Sequence, residues 1–285
     1  MEPIKLSILI PTYNFKIGLN KILDCIESIE EDLHDSIEII ISDDSDKEII
    51  SRKRNDSLKK SFKNYIYKHN FENLGAVDNW NKLISIAKGD YLWLLHHDEF
   101  WDKEKDFMSY IFKVIKFEKP NIIILPITKS KTKRFDYFNI NISNRHITFD
   151  KILRLFINSP KFLIKTNIIG PPSSLIYKQN KLNYDKSLKY LVDVEFYIRL
   201  FKYFNSKSVF IGSQQYNLIS SQNNQNSITR IIRKEIKTLK NKERIFICRR
   251  HKLNFNIYEK VLSIYTFLIL KINLLITTKI NVEKL

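Results

Sequence analysis

Over its first hundred residues the chain alternates short apolar runs with segments of helical periodicity, and no other feature restricts the fold as strongly. Runs rich in apolar and aromatic residues predict buried strands at 6–10, 37–41, 65–70 and 91–95. Helices are predicted between these strands, most clearly at 17–29 and 76–87. This alternation predicts an α/β fold with a mainly parallel sheet that is covered on both faces.

The later part of the chain is less regular. Apolar periodicity predicts helices at 108–117 and 191–204, and a run of isoleucines predicts a buried strand at 121–127. The segment 168–177 is predicted to be a turn that enters a further strand.

Polar side chains stand where the predicted strands end. These are Thr12, Tyr13 and Asn14 after the first strand, Asp43 and Asp44 after the second, and the run His96, His97, Asp98, Glu99 after the fourth. Ligands of parallel α/β sheets bind outside the carboxyl ends of the strands. We therefore expect these groups to line the rim of a cleft.

Asp98 with Glu99 admits two interpretations. An Asp after a strand is often a turn residue or a helix cap, here of a helix starting near Trp101. Carboxylate oxygens are also the ligands that hard divalent cations prefer. Because adjacent side chains on a strand point to opposite faces, only His96 of the two histidines is expected on the side of Asp98.

The acidic pair Asp43 and Asp44, and the later Asp193, also admit two interpretations each. Asp43 and Asp44 are either a solvated turn or carboxylates that meet a base or ribose. The chain contains no glycine-rich phosphate loop, so a bound nucleotide would need a metal or basic side chains for its phosphates. Asp193, between two valines, is either a residue of the first helical turn or a general base whose pKa is tuned by burial. Glu195 is two residues further on and cannot share its helix face.

Five segments occur in an order that resembles one enzyme family. They are "SILIPTYN", "IIISDDSD", "NFENLGAVDNWNKLISIAKGDYLWLLHHDEFW", "IGPPSSLIY" and "LKYLVDVEFYIRL". Together they resemble family 2 glycosyltransferases, most of all the abequosyltransferase-like branch of bacterial surface-polysaccharide enzymes. The resemblance covers about residues 4–205 and implies the GT-A fold, the Rossmann-like fold of nucleotide-diphospho-sugar transferases.

The resemblance also implies roles for individual residues. Nucleotide-sugar binding would involve Pro11, Thr12, Tyr13, Asn14, Asp43, Asp44, Asn73, Gly75, Asn81, His96 and His97. Asp98 would hold a divalent metal, Mn²⁺ or Mg²⁺, that bridges the diphosphate. Asp193 would be the catalytic base, and Pro172, Ser173 and Glu195 would lie on the acceptor side. The implied reaction is hexosyltransferase-type transfer with inversion at the anomeric carbon, to a saccharide that is lipid-linked, in O-antigen, lipopolysaccharide or capsule synthesis.

Three positions depart from the pattern of that family. His96 stands at the first Asp of its Asp-x-Asp motif, and Val192 stands where a Glu precedes the catalytic Asp. Trp80 replaces an Arg that would contact phosphate. These departures keep open a catalytically impaired binding subunit that retains the fold.

The charge and the C-terminal composition predict where the protein acts. The formal net charge is +17, which favours anionic partners. We divide the chain into a catalytic domain at 1–228 and a basic, then apolar, helical extension at 229–285. The apolar stretch 261–278 contains Lys271, so an interfacial helix fits better than a transmembrane span. Packing of this extension on the domain or on a second subunit is the alternative.

Taken together, these features predict a cytoplasmic protein that is peripheral at the cytoplasmic face of the inner membrane. Two widely separated cysteines, Cys25 and Cys248, provide no disulfide framework. A basic nucleic-acid-binding protein is a second alternative. We expect no nucleic acid partner, because the aromatic residues lie in apolar periodic runs and the acidic clusters would repel phosphate.

Overall fold

A computed structural model describes residues 3–129, 146–206, 208–221 and 235–255. The strands are β1 (Leu6–Thr12), β2 (Ile37–Asp43), β3 (Tyr65–His69), β4 (Tyr91–Leu94), β5 (Glu99–Trp101), β6 (Ile122–Ile124), β7 (Ile127–Lys129), β8 (Leu175–Lys178), β9 (Val209–Ile211) and β10 (Leu218–Ser220). The α-helices are α1 (Lys16–Glu27), α2 (Arg52–Ser61), α3 (Ala76–Ile86), α4 (Phe107–Phe117), α5 (His146–Asn158), α6 (Val192–Tyr203) and α7 (Ile236–Arg250). Short 3-10 helices lie at Glu31–Ser36, Pro160–Ile164 and Pro172–Ser174.

Seven strands form the central sheet in the order β3-β2-β1-β4-β8-β6-β9. The first four are mutually parallel, and β8 runs antiparallel to both of its neighbours. The predicted α/β fold with a mainly parallel sheet is therefore confirmed. The chain builds outward from β1 to β3 and then returns to place β4 on the other side of β1. That reversal opens a crevice at the carboxyl ends of β1 and β4.

Two apolar clusters cover the two faces of the sheet. Successive strand side chains point to opposite faces, so Leu6, Ile8 and Ile10 of β1 pack with α1 and α4 while Leu9 packs with α3 and α6. All four side chains are fully buried. The central strands are thus fixed from both sides, which holds their carboxyl ends in place.

The predicted strand at 121–127 is wrong as a single element. It is two strands in two different sheets, β6 in the central sheet and β7 in a three-stranded sheet of order β5-β10-β7. The break falls at Pro126, whose backbone has no N–H to donate to a sheet ladder. Its carbonyl accepts a hydrogen bond from the Leu218 N–H of β10 instead.

The last helix of the described residues, α7, packs against the first apolar cluster. Ile247 is fully buried there, and Leu253, after the helix, is 8% exposed. The predicted basic helix is confirmed for 236–250, whereas residues 229–234 and the apolar stretch 261–278 lie outside the described residues. Within the described part of the chain, no helix is both long enough and apolar enough to cross a membrane.

Candidate active site

A cavity of about 530 Å³ lies at the carboxyl ends of β1, β2 and β4. The predicted site residues that line it are Pro11, Thr12, Tyr13, Asp44, Asn73, Gly75, His96, His97, Asp98, Pro172 and Asp193. The first and the last of these residues, Pro11 and Asp193, are more than 180 positions apart in the sequence. The crevice predicted from the strand ends therefore exists, and α6 closes its far side.

Asp44 holds the loop that leads into α3. Its carboxylate accepts hydrogen bonds from the backbone N–H groups of Leu74 and Gly75 and from Asn70 Nδ2, each at 2.9 Å. Gly75 has φ +77° and ψ 162°, a conformation that is essentially restricted to glycine. Asn73 Nδ2 donates to the Asp44 carbonyl at 3.3 Å. The acidic side chain thus fixes the backbone of one cavity wall.

Asp43 lies below the cavity. It is fully buried, and its carboxylate accepts from Tyr67 Oη at 2.6 Å, from the Ser45 N–H at 3.0 Å and from the Ile49 N–H at 3.2 Å. Asp43 therefore stabilises the turn after β2 without lining the cavity.

Four further predicted residues support the site from outside the cavity lining. Asn14, at φ 46°, pairs with Ser45 and Asp46, and Asn81 exchanges two hydrogen bonds with the backbone of Tyr184. Ser173 Oγ accepts from the His96 N–H at 2.9 Å. Glu195 is fully buried, forms an ion pair with Arg199 and is hydrogen-bonded to His251 Nε2.

His96, Asp98 and Glu99 form a cluster whose ligand atoms lie within 4.8 Å of one another. His96 Nε2 and Glu99 Oε2 are buried, and neither has a hydrogen-bond partner among the described residues. Asp98 does not cap a helix near Trp101, because the chain continues into β5 and the next helix begins at Phe107. The alternative of a capping residue is therefore wrong.

The electrostatics of the cluster fit a divalent cation. Burial and the neighbouring Asp98 raise the pKa of Glu99 well above its ordinary value. Burial and His97 lower the pKa of His96 to about 3, so its imidazole is neutral at physiological pH. A neutral imidazole and two carboxyl groups are a mixed nitrogen and oxygen donor set of the kind that binds Mn²⁺. A cation would also satisfy the two buried atoms that have no partner.

Asp193 lies in the first turn of α6, as predicted. Its carboxylate accepts hydrogen bonds from Asn167 Nδ2 and from the Val194 N–H, both at 2.8 Å. Burial raises its pKa to about 6 although these hydrogen bonds lower it. The group is therefore mainly ionised at neutral pH and is still basic enough to accept a proton.

Sequence reasoning missed several residues of the site. The cavity is also lined by Ala76, Val77, Asn79, Pro171, Lys189 and Tyr190, which were not singled out from the sequence. Glu99, considered above together with Asp98, also lines it, as do Trp80 and Val192, two of the departures from the family pattern. Asn167, the partner of Asp193, was missed as well. Its only signal is its place just before the "IIGPPSS" turn, where its Oδ1 accepts from the backbone N–H groups of Ile169 and Gly170.

Trp80, which departs from the family pattern, packs its ring against His96. The ring centroids are 4.9 Å apart, and Tyr184 meets the other part of the indole edge-on at 5.1 Å. The tryptophan therefore fixes the imidazole of the acidic cluster and adds an apolar surface to the cavity.

Solved structures define the class to which this fold belongs. The S. aureus TarS fragment 1–349 in complex with UDP-GlcNAc aligns with a TM-score of 0.58 at 14% identity, over 79% of this chain and 60% of that chain. The mannosyltransferase PcManGT from Pyrobaculum calidifontis, in complex with GDP-Man and Mn²⁺, aligns with a TM-score of 0.53 at 11% identity, over 86% and 65%. The fold is the GT-A fold, as predicted.

The family follows from the sequence itself. The model of the family described as glycosyl transferase family 2 matches residues 7–179, and the chain belongs to this family. The chain is also 37% identical over 102 residues to the abequosyltransferase RfbV of Salmonella typhimurium, which is 33% of this chain and 28% of that protein. The predicted resemblance to the family and to its abequosyltransferase branch is confirmed. The chain spans less than a third of this curated relative and about 60–65% of the two solved structures.

Proposed function

We propose that the protein is an inverting glycosyltransferase that moves a sugar from a nucleotide-sugar donor to a lipid-linked saccharide during O-antigen or capsule-type polysaccharide synthesis. One observation carries this proposal: a single cavity brings Asp98, after β4, together with Asp193, at the start of α6. The transfer needs groups of both kinds, one to stabilise the leaving diphosphate and one to accept a proton from the acceptor hydroxyl.

The donor would lie along the carboxyl ends of β1 and β2. Pro11, Thr12 and Tyr13 line this part of the cavity, opposite the loop that Asp44 holds. Two solved structures with this fold are complexes with UDP-GlcNAc and with GDP-Man, which supports a nucleoside diphosphate sugar here.

His96, Asp98 and Glu99 would hold a divalent cation, Mn²⁺ in preference to Mg²⁺. When bound, such a cation supplies positive charge that stabilises the leaving diphosphate. The chain itself fixes the position of His96 in this cluster, because Trp80 packs on its ring and Ser173 Oγ accepts from its N–H.

Asp193 would take the proton from the acceptor hydroxyl as that oxygen attacks the anomeric carbon. Asn167 orients the carboxylate, and burial gives it a pKa close to the working pH, where a general base is most effective. One base on the side opposite the leaving group predicts single displacement with inversion.

The outer face of α7 supports action at a membrane surface. Lys242, Ile245, Phe246 and Arg249 are exposed and follow one another at i, i+3, i+4 and i+7, so they share one face of the helix. Ile245 is 54% and Phe246 is 42% exposed. Exposed apolar side chains flanked by cations suit an anionic lipid surface. We therefore propose peripheral binding at the cytoplasmic face of the inner membrane, where a lipid-linked acceptor is available.

A thermal-shift panel of nucleotide sugars, with and without Mn²⁺, followed by a transfer assay, tests this function. We expect one nucleotide to raise the melting temperature, more so with Mn²⁺, and Asp98→Asn to abolish the added effect of the metal. Asp193→Asn should retain the shift and lose transfer by a factor of about 10²–10⁴. Asp35→Asn, an exposed carboxylate far from the cavity, serves as the matched control.

Two results would contradict the proposal. The first is a folded protein whose melting temperature no nucleotide changes. The second is Asp193→Asn with undiminished turnover, which would remove the base. Nucleotide binding without transfer by the wild-type protein would leave the binding-subunit alternative.

A further inference from the structure

Helix α7 contacts the segment that leads into α6 and Asp193. Arg250 pairs with Asp185 at the start of this segment, and Glu243 contacts its end. The buried Ile247 lies between these two positions on the same helix face. α7 therefore runs along the entry to the helix of the proposed base.

Glu243 makes the densest of these contacts. Its Oε1 accepts from the Lys189 N–H at 2.7 Å, and its Oε2 accepts from the Leu191 N–H at 2.7 Å. The Tyr190 N–H lies between the two oxygens, at 3.3 Å and 3.1 Å. One carboxylate thus binds three consecutive backbone N–H groups.

These contacts hold the backbone that leads into α6. Leu191 is the N-cap residue of α6, and its apolar side chain makes no capping hydrogen bond. Glu243 binds the N–H of Leu191 and those of the two residues before it, not the N–H groups of the first helical turn. A carboxylate at this end also interacts favourably with the helix dipole. Glu243 is only 6% exposed, and its burial is tolerated because the three N–H groups satisfy its carboxylate.

The backbone that Glu243 holds is part of the cavity wall. Lys189 and Tyr190 both line the cavity, and Asp193 is two residues beyond Leu191. Lys240, one turn before Glu243 on α7, lies over the Tyr190 ring at 5.8 Å from its centroid. A shift of this segment would therefore move the acceptor side of the cavity and the first turn of α6 together.

We propose that Glu243 is a positioning residue: through the backbone of residues 189–191 it sets the place of Asp193 and of the acceptor-side wall. The inference rests on the proposed function for the role of Asp193, but the contact itself can be tested without any activity. It assigns α7 to the active site, although the family match ends at residue 179.

A purely structural role for α7 makes different predictions from a positioning role. The groups that face Asp193 are Asn167, Tyr184 from the preceding loop, Tyr197 from α6, and Lys240 and Glu243 from α7. Burial is the main cause of the raised pKa of Asp193, and the negative charge of Glu243 adds to it. Loss of that charge should therefore lower the pKa of the base, whereas loss of packing alone should leave it unchanged.

Glu243→Gln in the full-length protein is the decisive variant, because it keeps the volume and replaces one acceptor oxygen by a donor. We expect kcat to fall roughly tenfold to a hundredfold, as for a misplaced catalytic group. The donor KM should change less than twofold, and the acid limb of the pH profile should move to lower pH. Amide hydrogen exchange at residues 189–191, measured on the same protein, should become faster.

Two variants of the same helix are the controls. Glu235→Gln removes an exposed charge from the N-cap of α7 and should change none of these quantities. Ile247→Ala weakens the packing of α7 without removing the acceptor oxygens. It should lower the melting temperature and leave the acid limb of the pH profile in place.

The positioning role is overturned if Glu243→Gln retains wild-type kcat and an unchanged acid limb, or if exchange at residues 189–191 is the same as in the wild-type protein. A wild-type protein without transfer activity would refute the proposed function instead. The exchange measurement would still decide whether Glu243 holds the segment.

Discussion

Burial raises the pKa of Asp193 to about 6, although the carboxylate accepts hydrogen bonds from Asn167 and from the backbone of Val194 that lower it. The two influences oppose each other, and burial is the larger. The folded protein therefore keeps this proton between about pH 4 and pH 6, where an exposed aspartate would have lost it. A base of this kind becomes active as the pH rises through about 6.

The pH profile of transfer tests this balance. We expect kcat/KM to rise with pH through about 6 in the wild-type enzyme. In Asn167→Ala the hydrogen bond that lowers the pKa of Asp193 is lost, so the acid limb should move to higher pH. Asn180→Ala is the matched control, because Asn180 Oδ1 accepts from a backbone N–H two residues on, as Asn167 does, but Asn180 Nδ2 donates to the Lys178 carbonyl and not to Asp193. An acid limb that does not move in Asn167→Ala would contradict the assignment of the base.

Glu99 provides a second test at the scale of a residue. If its buried Oε2 is a metal ligand, Glu99→Gln should raise the Kd for Mn²⁺ at least about tenfold, since an amide replaces a charged oxygen. The free Mn²⁺ signal in electron paramagnetic resonance measures this directly, without substrate. Glu104→Gln, an exposed carboxylate five residues further on, should leave the Kd unchanged. Equal affinities of both variants and the wild type would remove Glu99 from the ligand set.

Individual helices are placed against the site by close backbone contacts. In α1, a Cβ atom added to Gly18 would lie 2.2 Å from the His97 carbonyl oxygen and from the Phe15 ring. The helix can therefore approach the turn that follows β4 only because this position is glycine. That approach presses α1 against the backbone of the acidic cluster.

Gly18→Ala should therefore destabilise the protein although alanine is the better helix former by about 1 kcal/mol. We expect a loss of about 1–3 kcal/mol in the free energy of unfolding, because the backbone at His97 must move. Denaturant titration measures this loss. Ile17→Ala, at a neighbouring position that is 71% exposed, should change the stability by about 0.5 kcal/mol or less. A more stable Gly18→Ala variant would contradict the contact.

The sequence predicts these elements to different degrees. The helices and the buried strands around β1, β2 and β4 were predictable because their periodicity is local. β5 was missed because it is three residues long and follows directly on polar residues, so its pairing with β10 decides its conformation. The division of the predicted strand into β6 and β7 could have been predicted, because Pro126 has no backbone N–H to donate to a sheet. Asn167 and Glu243 were not, because their partners lie 26 and more than 50 residues away.

At the scale of the whole molecule, the net charge of +17 and the outer face of α7 both bear on whether the protein binds an anionic lipid surface. Net charge alone gives attraction to any anion, which salt screens within about 10 Å. Exposed apolar side chains add a contribution that salt does not remove. A lipid surface should therefore be distinguished by the apolar positions of α7.

Vesicles that contain anionic lipid test this surface. Phe246→Glu should weaken binding of the full-length protein roughly tenfold, because it removes an exposed aromatic ring that would enter the lipid and adds a charge of the wrong sign. Phe117→Glu, at a 71% exposed phenylalanine of α4 whose ring, like that of Phe246, lies beside a cationic side chain, has the same charge change and should bind as the wild type does. Co-sedimentation at two salt concentrations measures both. If both variants lost vesicle binding equally, the net charge alone would account for the binding, and the apolar face of α7 would have no part in it.

The three N–H groups held by Glu243 also limit how such enzymes can be recombined. A chimaera that joined the first 180 residues of this chain to the remainder of a relative would keep the donor-side loops intact. A crossover between residues 195 and 236, however, would take the segment 185–195 from one parent and α7 from the other. The carboxylate of residue 243 and the N–H groups of residues 189–191 would then come from different parents, whose sequences were not selected to fit each other. Breakpoints that keep the two together are the ones from which new acceptor specificities can be selected.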